Sequence, residues 1–204
     1  MTKTAENLQN LVQKLEKRNS LKTDYVVPAQ KLIWTSDNEF IVNTDAAQQL
    51  FYKPTELFES QIAEKLGIPM AYFKKMKDKV PALLQENVNQ WLSFNKSKKY
   101  LVRGLNNYET NINTGRAFLS DGYNIIDDYD VLFAALDAIK QTGVKVEITK
   151  AEVSDTRLYL HVTCPDVELQ AEEFLKGYLK ENDAAGIGII SGFVLTNSEV
   201  GHGA

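Results

Sequence analysis

The run Arg116-Ala-Phe-Leu-Ser-Asp-Gly-Tyr-Asn-Ile-Ile-Asp-Asp128 decides how this chain is read, because strand, turn and helix signals follow one another without a gap. Arg116 to Leu119 reads as a short strand. Ser120-Asp121-Gly122 is turn chemistry, since Asp-Gly tolerates the positive φ of hairpin turns. Tyr123 to Ile126 is expected to return as a second strand. Asp127 and Asp128 then offer carboxylates to the unpaired N–H groups of a following helix. In that helix Leu132, Ala135, Leu136 and Ile139 form one apolar stripe, and Gly143 stands where a left-handed residue ends a helix.

The pattern continues outward in both directions. Leu8, Leu11, Val12 and Leu15 follow helical spacing and predict an amphipathic helix over 4–18. Residues 24–43 alternate in strand fashion around Pro28 and a Ser-Asp-Asn turn at 36–38, which predicts a hairpin. Residues 45–95 read as mostly helical, punctuated by Pro54, Gly67-Ile68-Pro69 and Pro81. Residues 99–105 read as a strand. Downstream, Val144, Val146 and Ile148 alternate as one strand and Leu158, Leu160 and Val162 as another. Residues 165–186 form an acidic, partly helical insertion, and Ile187 to Leu195 is expected to be a buried strand. Gly186, Gly188 and Gly192 within or beside it are read as aids to close packing. The expected fold is α+β, with a mostly antiparallel sheet, packed helices and an inserted helix-turn-helix-like subdomain. Three segments are expected: a helix and hairpin over 1–44, a helical subdomain over 45–95, and an α+β core over 96–204.

Composition narrows the classes. The chain has 204 residues, 44% hydrophobic and 25% charged, which suits one good core or a core plus a small satellite. It has no apolar run long enough to span a bilayer and no signal-peptide core at its start, so no membrane partner and a cytoplasmic location are expected. Cys164 is the only cysteine, which excludes an intrachain disulfide and a multi-thiolate metal site. The net charge of −4 hides an asymmetry: residues 1–105 carry 16 Lys/Arg against 11 Asp/Glu, and residues 106–204 carry 7 against 16. A basic half points to an anionic partner, although lysine-rich helices are also simply well solvated.

The opening run contains an Arg-Ala-Phe-Leu-Ser-Asp-x-Tyr sequence and an acidic pair, and Asn197-Ser-Glu-Val-Gly201 stands near the end. Together these resemble the two signatures of the phage/plasmid-like protein family called domain of unknown function 932. The resemblance covers about residues 45–204. It implies a chain borne by a phage, prophage or plasmid and working in a bacterial host cell, and it supplies no reaction. Chains of that family continue past this point, so the resemblance also implies a C-terminal truncation. Arg116, Ser120, Asp121, Tyr123, Asn197, Ser198 and Glu199 are the candidate site residues from the two signatures. The plainer account gives Asn197 and Ser198 local turn bonds and pairs Glu199 with Arg116 or Arg103.

Two basic stretches carry the chemistry of nucleic-acid contact. In Glu59 to Met76, Ile62, Ala63, Leu66, Gly67, Ile68, Phe73 and Met76 have the spacing of a helix-turn-helix. Its second helix carries Lys74, Lys75, Lys77 and Lys79, which suit phosphates, but lacks Arg, Asn and Gln for base readout. Lys96, Lys98, Lys99 and Arg103, interleaved with Trp91, Phe94 and Tyr100, have the chemistry of single-strand binding. Trp91 is expected in the core, because Val88, Trp91 and Leu92 share a helical stripe. The acids Asp121, Asp127, Asp128 and Asp130 have turn and capping roles. Glu147-Ile-Thr-Lys150 misses the acid-x-Lys spacing of many metal-dependent nucleases by one residue, which puts the two side chains on opposite strand faces. His161 and Cys164 have no placed catalytic partner, and no phosphate-binding glycine loop is present.

The expected function is therefore a non-catalytic, nucleic-acid-associated accessory of recombination, replication or defence evasion on a mobile element. The expected partners are single- or double-stranded DNA and host or phage proteins, with no cofactor and no metal. One alternative is an enzyme of unknown reaction built around Arg116, Asp121 and Glu199. Another is a protein-binding factor whose acidic half mimics nucleic acid.

Overall fold

A computed structural model describes residues 3–44, 48–167, 173, 175–178 and 191–202. Two compact units divide the chain: Arg18–Asn124, and Met1–Lys17 together with Ile125–Ala204. Helix α1 (Lys3–Leu21) opens the chain and runs across the first division. The second division falls inside the run quoted above, between Asn124 and Ile125.

The Arg18–Asn124 unit is a six-stranded sheet with a helical layer on one face. Its strands are β1 (Lys22–Pro28), β2 (Leu32–Trp34), β3 (Phe40–Asn43), β4 (Gln49–Pro54), β5 (Lys99–Leu105) and β6 (Ile112–Ser120), in the order β1-β5-β6-β4-β3-β2. All pairings are antiparallel except β4 with β6. Helices α2 (Glu56–Leu66), α3 (Met70–Lys79) and α4 (Pro81–Phe94) connect β4 to β5. The chain thus passes through three helices and β5 before it returns as β6, the parallel neighbour of β4, and two parallel strands cannot be joined by a tight turn.

The helical layer seals the sheet with aromatic rings. Trp34 meets Phe73 edge-on at 5.4 Å, Phe40 meets Phe58 at 5.2 Å, and Tyr100 stacks on Phe118 at 4.5 Å. Ile62, Ala63, Leu66 and Ile68 join Phe73 and Met76 in this core, as the sequence spacing predicts, and Gly67 takes the left-handed conformation that ends α2 at φ 69°. Where β4 stops at Pro54, β6 runs on, and α2 satisfies its exposed edge. Thr55 N and Oγ1 donate to the carbonyls of Gly115 and Arg116 at 2.9 and 3.3 Å, and Phe118 N donates to Gln61 Oε1 at 2.8 Å. Buried backbone groups need such partners.

Two expectations fail in this unit. Residues 123–127 form no strand. Strand β6 pairs β5 along one side, and on the other, beyond the end of β4, Thr55 and Gln61 take its Arg116 and Phe118 backbone groups, so no edge is open to a returning Tyr123–Ile126. Residues 49–54 form β4 rather than helix; their neighbour is β6, some sixty positions away, which local periodicity does not reveal.

The other unit packs α1 with α5 (Asp128–Thr142) and a three-stranded antiparallel sheet, β7 (Glu147–Val153), β8 (Leu158–Thr163) and β9 (Gly192–Asn197), in that order. Leu11 and Leu15 of α1 share a buried cluster with Leu132 of α5 and Leu158, Leu160 and Val162 of β8. Gly143 ends α5 at φ 66°, as its position predicts. Of the strand expected over Ile187 to Leu195, residues 187–190 lie outside the described residues, and the described part, β9, is not buried: Phe193 and Val194 are 41% and 48% exposed. Among the described residues it is an edge strand, with β8 as its sheet neighbour on one side. Gly186, Gly188 and most of the acidic 165–186 segment lie outside the described residues. Among the described residues no helix is long and apolar enough to cross a membrane.

Candidate nucleic-acid interface

The lysines of α3 divide into two kinds. Lys74, Lys75 and Lys79 are exposed. Lys77 instead donates to Glu59 Oε1 at 2.5 Å, and that carboxylate is almost fully buried. Lys77 thus supports the α2–α3 pair, and the other three face solvent.

Around the end of α4 the groups split again. Leu84, Val88 and Leu92 form the buried stripe of the helix. Trp91 lies one position off that stripe in the last turn and is 45% exposed, which corrects the expectation of a core residue. Phe94 follows one turn later and is 75% exposed, its ring 6.1 Å from that of Trp91 and nearly perpendicular to it. Lys96, Lys98 and Lys99 are all exposed. The turn that carries them is anchored: Lys98 N donates to Asn95 O, and Ala29 N donates to Lys98 O, both at 3.0 Å.

Two members of the expected basic-aromatic stretch belong elsewhere. Arg103 is 1% exposed, and its Nε and one terminal nitrogen each lie 3.0 Å from an oxygen of Asp24 on the neighbouring strand. It is a structural pair, not a phosphate ligand. Tyr100 is buried on Phe118, and burial pushes its phenol pKa above the ordinary value.

The signature residues are placed as follows. Arg116 is buried on β6 at the bulge where the β5 register shifts. Ser120 ends β6, its carbonyl accepting from Tyr123 N at 3.1 Å, and Asp121 is exposed in the turn. In the other unit, Asn197 Nδ2 donates to Ile126 O at 2.9 Å and to the buried Asp128 Oδ1 at 2.8 Å. Glu199, itself 3% exposed, accepts from Asp128 N at 3.2 Å, and Ser198 Oγ accepts from His202 N at 2.9 Å. The start of α5 is therefore held by a distant glutamate, whereas the Asp127 side chain makes no capping bond to it. Ser198 makes the local turn bond that the plainer account gives it, whereas Asn197 and Glu199 reach the start of α5 some seventy positions away, and Arg103 pairs with Asp24.

Strand β7 departs from simple alternation. Its register with β8 shifts between Ile148 and Lys150, so Glu147 faces Thr163 and Lys150 faces His161. The bulge at Thr149 thus brings Glu147 and Lys150 to one face, against the expected opposite faces. Lys150 there lies 3.0 Å from Glu152. Among the described residues no group of three His, Cys, Asp or Glu side chains lies close enough to hold a metal ion. His161 Nδ1 is bonded to Thr149 Oγ1 at 2.9 Å. No family model, no curated protein and no solved structure matches the chain.

Proposed function

We propose that this chain is a nucleic-acid-associated, non-catalytic accessory protein of a phage, prophage or plasmid. The resemblance of its two signature runs to the phage/plasmid-like family supports the mobile-element setting. The observation that carries the nucleic-acid reading is the set of exposed ammonium groups on the helical layer of the Arg18–Asn124 unit: Lys74, Lys75 and Lys79 on α3, and Lys96, Lys98 and Lys99 after α4. Exposed lysines attract a phosphate backbone whatever its sequence and release its condensed counterions, so such binding weakens steeply with salt. The helix-turn-helix-like α2–α3 pair is part of this proposal as a phosphate-contacting element.

The test is equilibrium binding of labelled single- and double-stranded DNA over a salt series. Binding at low salt that falls linearly on logarithmic axes is the expected result. Charge reversal at Lys74 and Lys75 should flatten the slope if α3 takes part. Absence of binding to both forms at low salt would end this reading.

A further inference from the structure

We infer that the end of α4 is a stacking platform for single-stranded DNA, built from Trp91 and Phe94 and flanked by Lys96, Lys98 and Lys99. This rests on the nucleic-acid reading above and names its substrate. A globular domain normally buries its large aromatic rings, and this unit buries Trp34, Phe40, Phe58, Phe73 and Phe118 completely. Trp91 and Phe94 break that habit side by side, one helical turn apart. Every base has a flat π-face, but only an unpaired base can lay it on a protein ring. Exposed rings therefore select single strands, whereas lysines alone accept any phosphate backbone.

Charge complementarity fits the same occupant. From Asn87 to Tyr108 the chain has no Asp or Glu, and it carries Lys96, Lys98, Lys99 and Arg103. Arg103 is spent on Asp24, which leaves three exposed lysines within five residues of Phe94. They also offset the partial negative charge at the C-terminus of α4, which would otherwise repel phosphate beside the rings. The turn bonds of Lys98 keep this cationic group close to the aromatic pair. The exposed lysines of α3 have exposed Tyr72 as their aromatic neighbour but no comparable ring pair.

The full chain has two tryptophans, Trp34 sealed in the core and Trp91 exposed, so fluorescence reports on the platform directly. Wild-type protein is titrated with an oligo-dT strand, a duplex of equal length and an oligo-rU strand. Emission is followed together with the anisotropy of a labelled strand. The expected result is quenching by oligo-dT but not by duplex, with at least tenfold tighter binding of the single strand. Trp91→Ala with Phe94→Ala should weaken oligo-dT binding by about tenfold or more while duplex binding stays level. Lys96→Glu with Lys98→Glu should instead reduce the salt slope for the strand. Oligo-dT binding without quenching, or binding indifferent to loss of both rings, overturns the platform and leaves nucleic-acid association standing. Tighter binding of oligo-rU than of oligo-dT overturns the choice of DNA. No binding of any of the three removes the platform together with the reading beneath it.

Discussion

Arg103 and Asp24 form a two-toothed ion pair across β1 and β5, both contacts at 3.0 Å, with the guanidinium 1% exposed and the carboxylate 19%. Removing one partner of such a pair leaves a charge in a site that water barely reaches. Arg103→Ala is expected to destabilise the Arg18–Asn124 unit by about 3 kcal/mol, measured by urea unfolding. Because this arginine is not offered to phosphate, a folded Arg103→Lys variant should keep the wild-type salt slope for DNA. A loss under about 1 kcal/mol for the alanine variant would contradict the buried-pair account.

Glu199→Ala should loosen the start of α5 by withdrawing the acceptor from Asp128 N. The expected cost is about 1–3 kcal/mol for an unsatisfied buried donor. Glu199→Gln keeps an acceptor oxygen and should cost less. Amide hydrogen exchange reads this locally: the Asp128 amide should exchange faster in the alanine variant, and unchanged protection would count against the capping role.

Gly104→Ala should destabilise by steric conflict rather than by backbone strain. A methyl group there would stand 2.5 Å from Cε1 of the buried Tyr52 ring and 2.9 Å from the Thr114 carbonyl. Overpacking of this kind costs roughly 1–3 kcal/mol. Gly67→Ala is the control: the space beside Gly67 is open, but its φ of 69° disfavours a side chain, so a cost of about 1 kcal/mol is expected. Gly67→Asn, which tolerates the left-handed region, should recover part of it. Equal tolerance of alanine at both glycines would refute the contact at Tyr52.

Burial pushes the Tyr52 phenol pKa up to about 12, against 10.0 for the free group, and its hydroxyl lies 3.4 Å from that of Thr23. Below pH 10 the phenol is neutral in both folded and unfolded chains and costs nothing. Between about pH 10 and 12 the unfolded chain ionises first, binds fewer protons, and stability falls as pH rises. The shift corresponds to roughly 2–3 kcal/mol from Tyr52 across that window, and the upward shift at Tyr100 acts in the same direction. Urea midpoints taken from pH 8 to 12 should show the fall. In Tyr52→Phe its slope should be smaller, and an unchanged slope would exclude Tyr52 as its source.

What could be read in the sequence was whatever the chain states locally. The β2–β3 hairpin, β5, and α5 with its apolar stripe and terminal Gly143 all follow from periodicity and turn chemistry within a dozen residues. Most departures share one cause, which is partners far along the chain. Tyr123–Ile126 has strand composition but no edge to join, and Gln49–Pro54 is a strand because β6 lies beside it. Thr55, the residue after Pro54, was the available sign that the helix starts there and not earlier. Among the candidate site residues, Arg103 was misjudged because its partner stands 79 positions away. Trp91 was misjudged because a side chain one position off a helical stripe can fall on either side of the burial boundary.

The one parallel pairing of the sheet governs the order in which this unit can assemble. Strands β2, β3 and β4 are consecutive antiparallel neighbours and can meet as soon as they leave the ribosome. β4 then waits for β6, which arrives only after all three helices and β5 have been synthesised. Until that closure the β4 edge is an open template for other strands, and a contact so distant along the chain is slow to find. Conditions or variants that delay β6 should therefore show first as aggregation of nascent chains rather than as a loss of equilibrium stability.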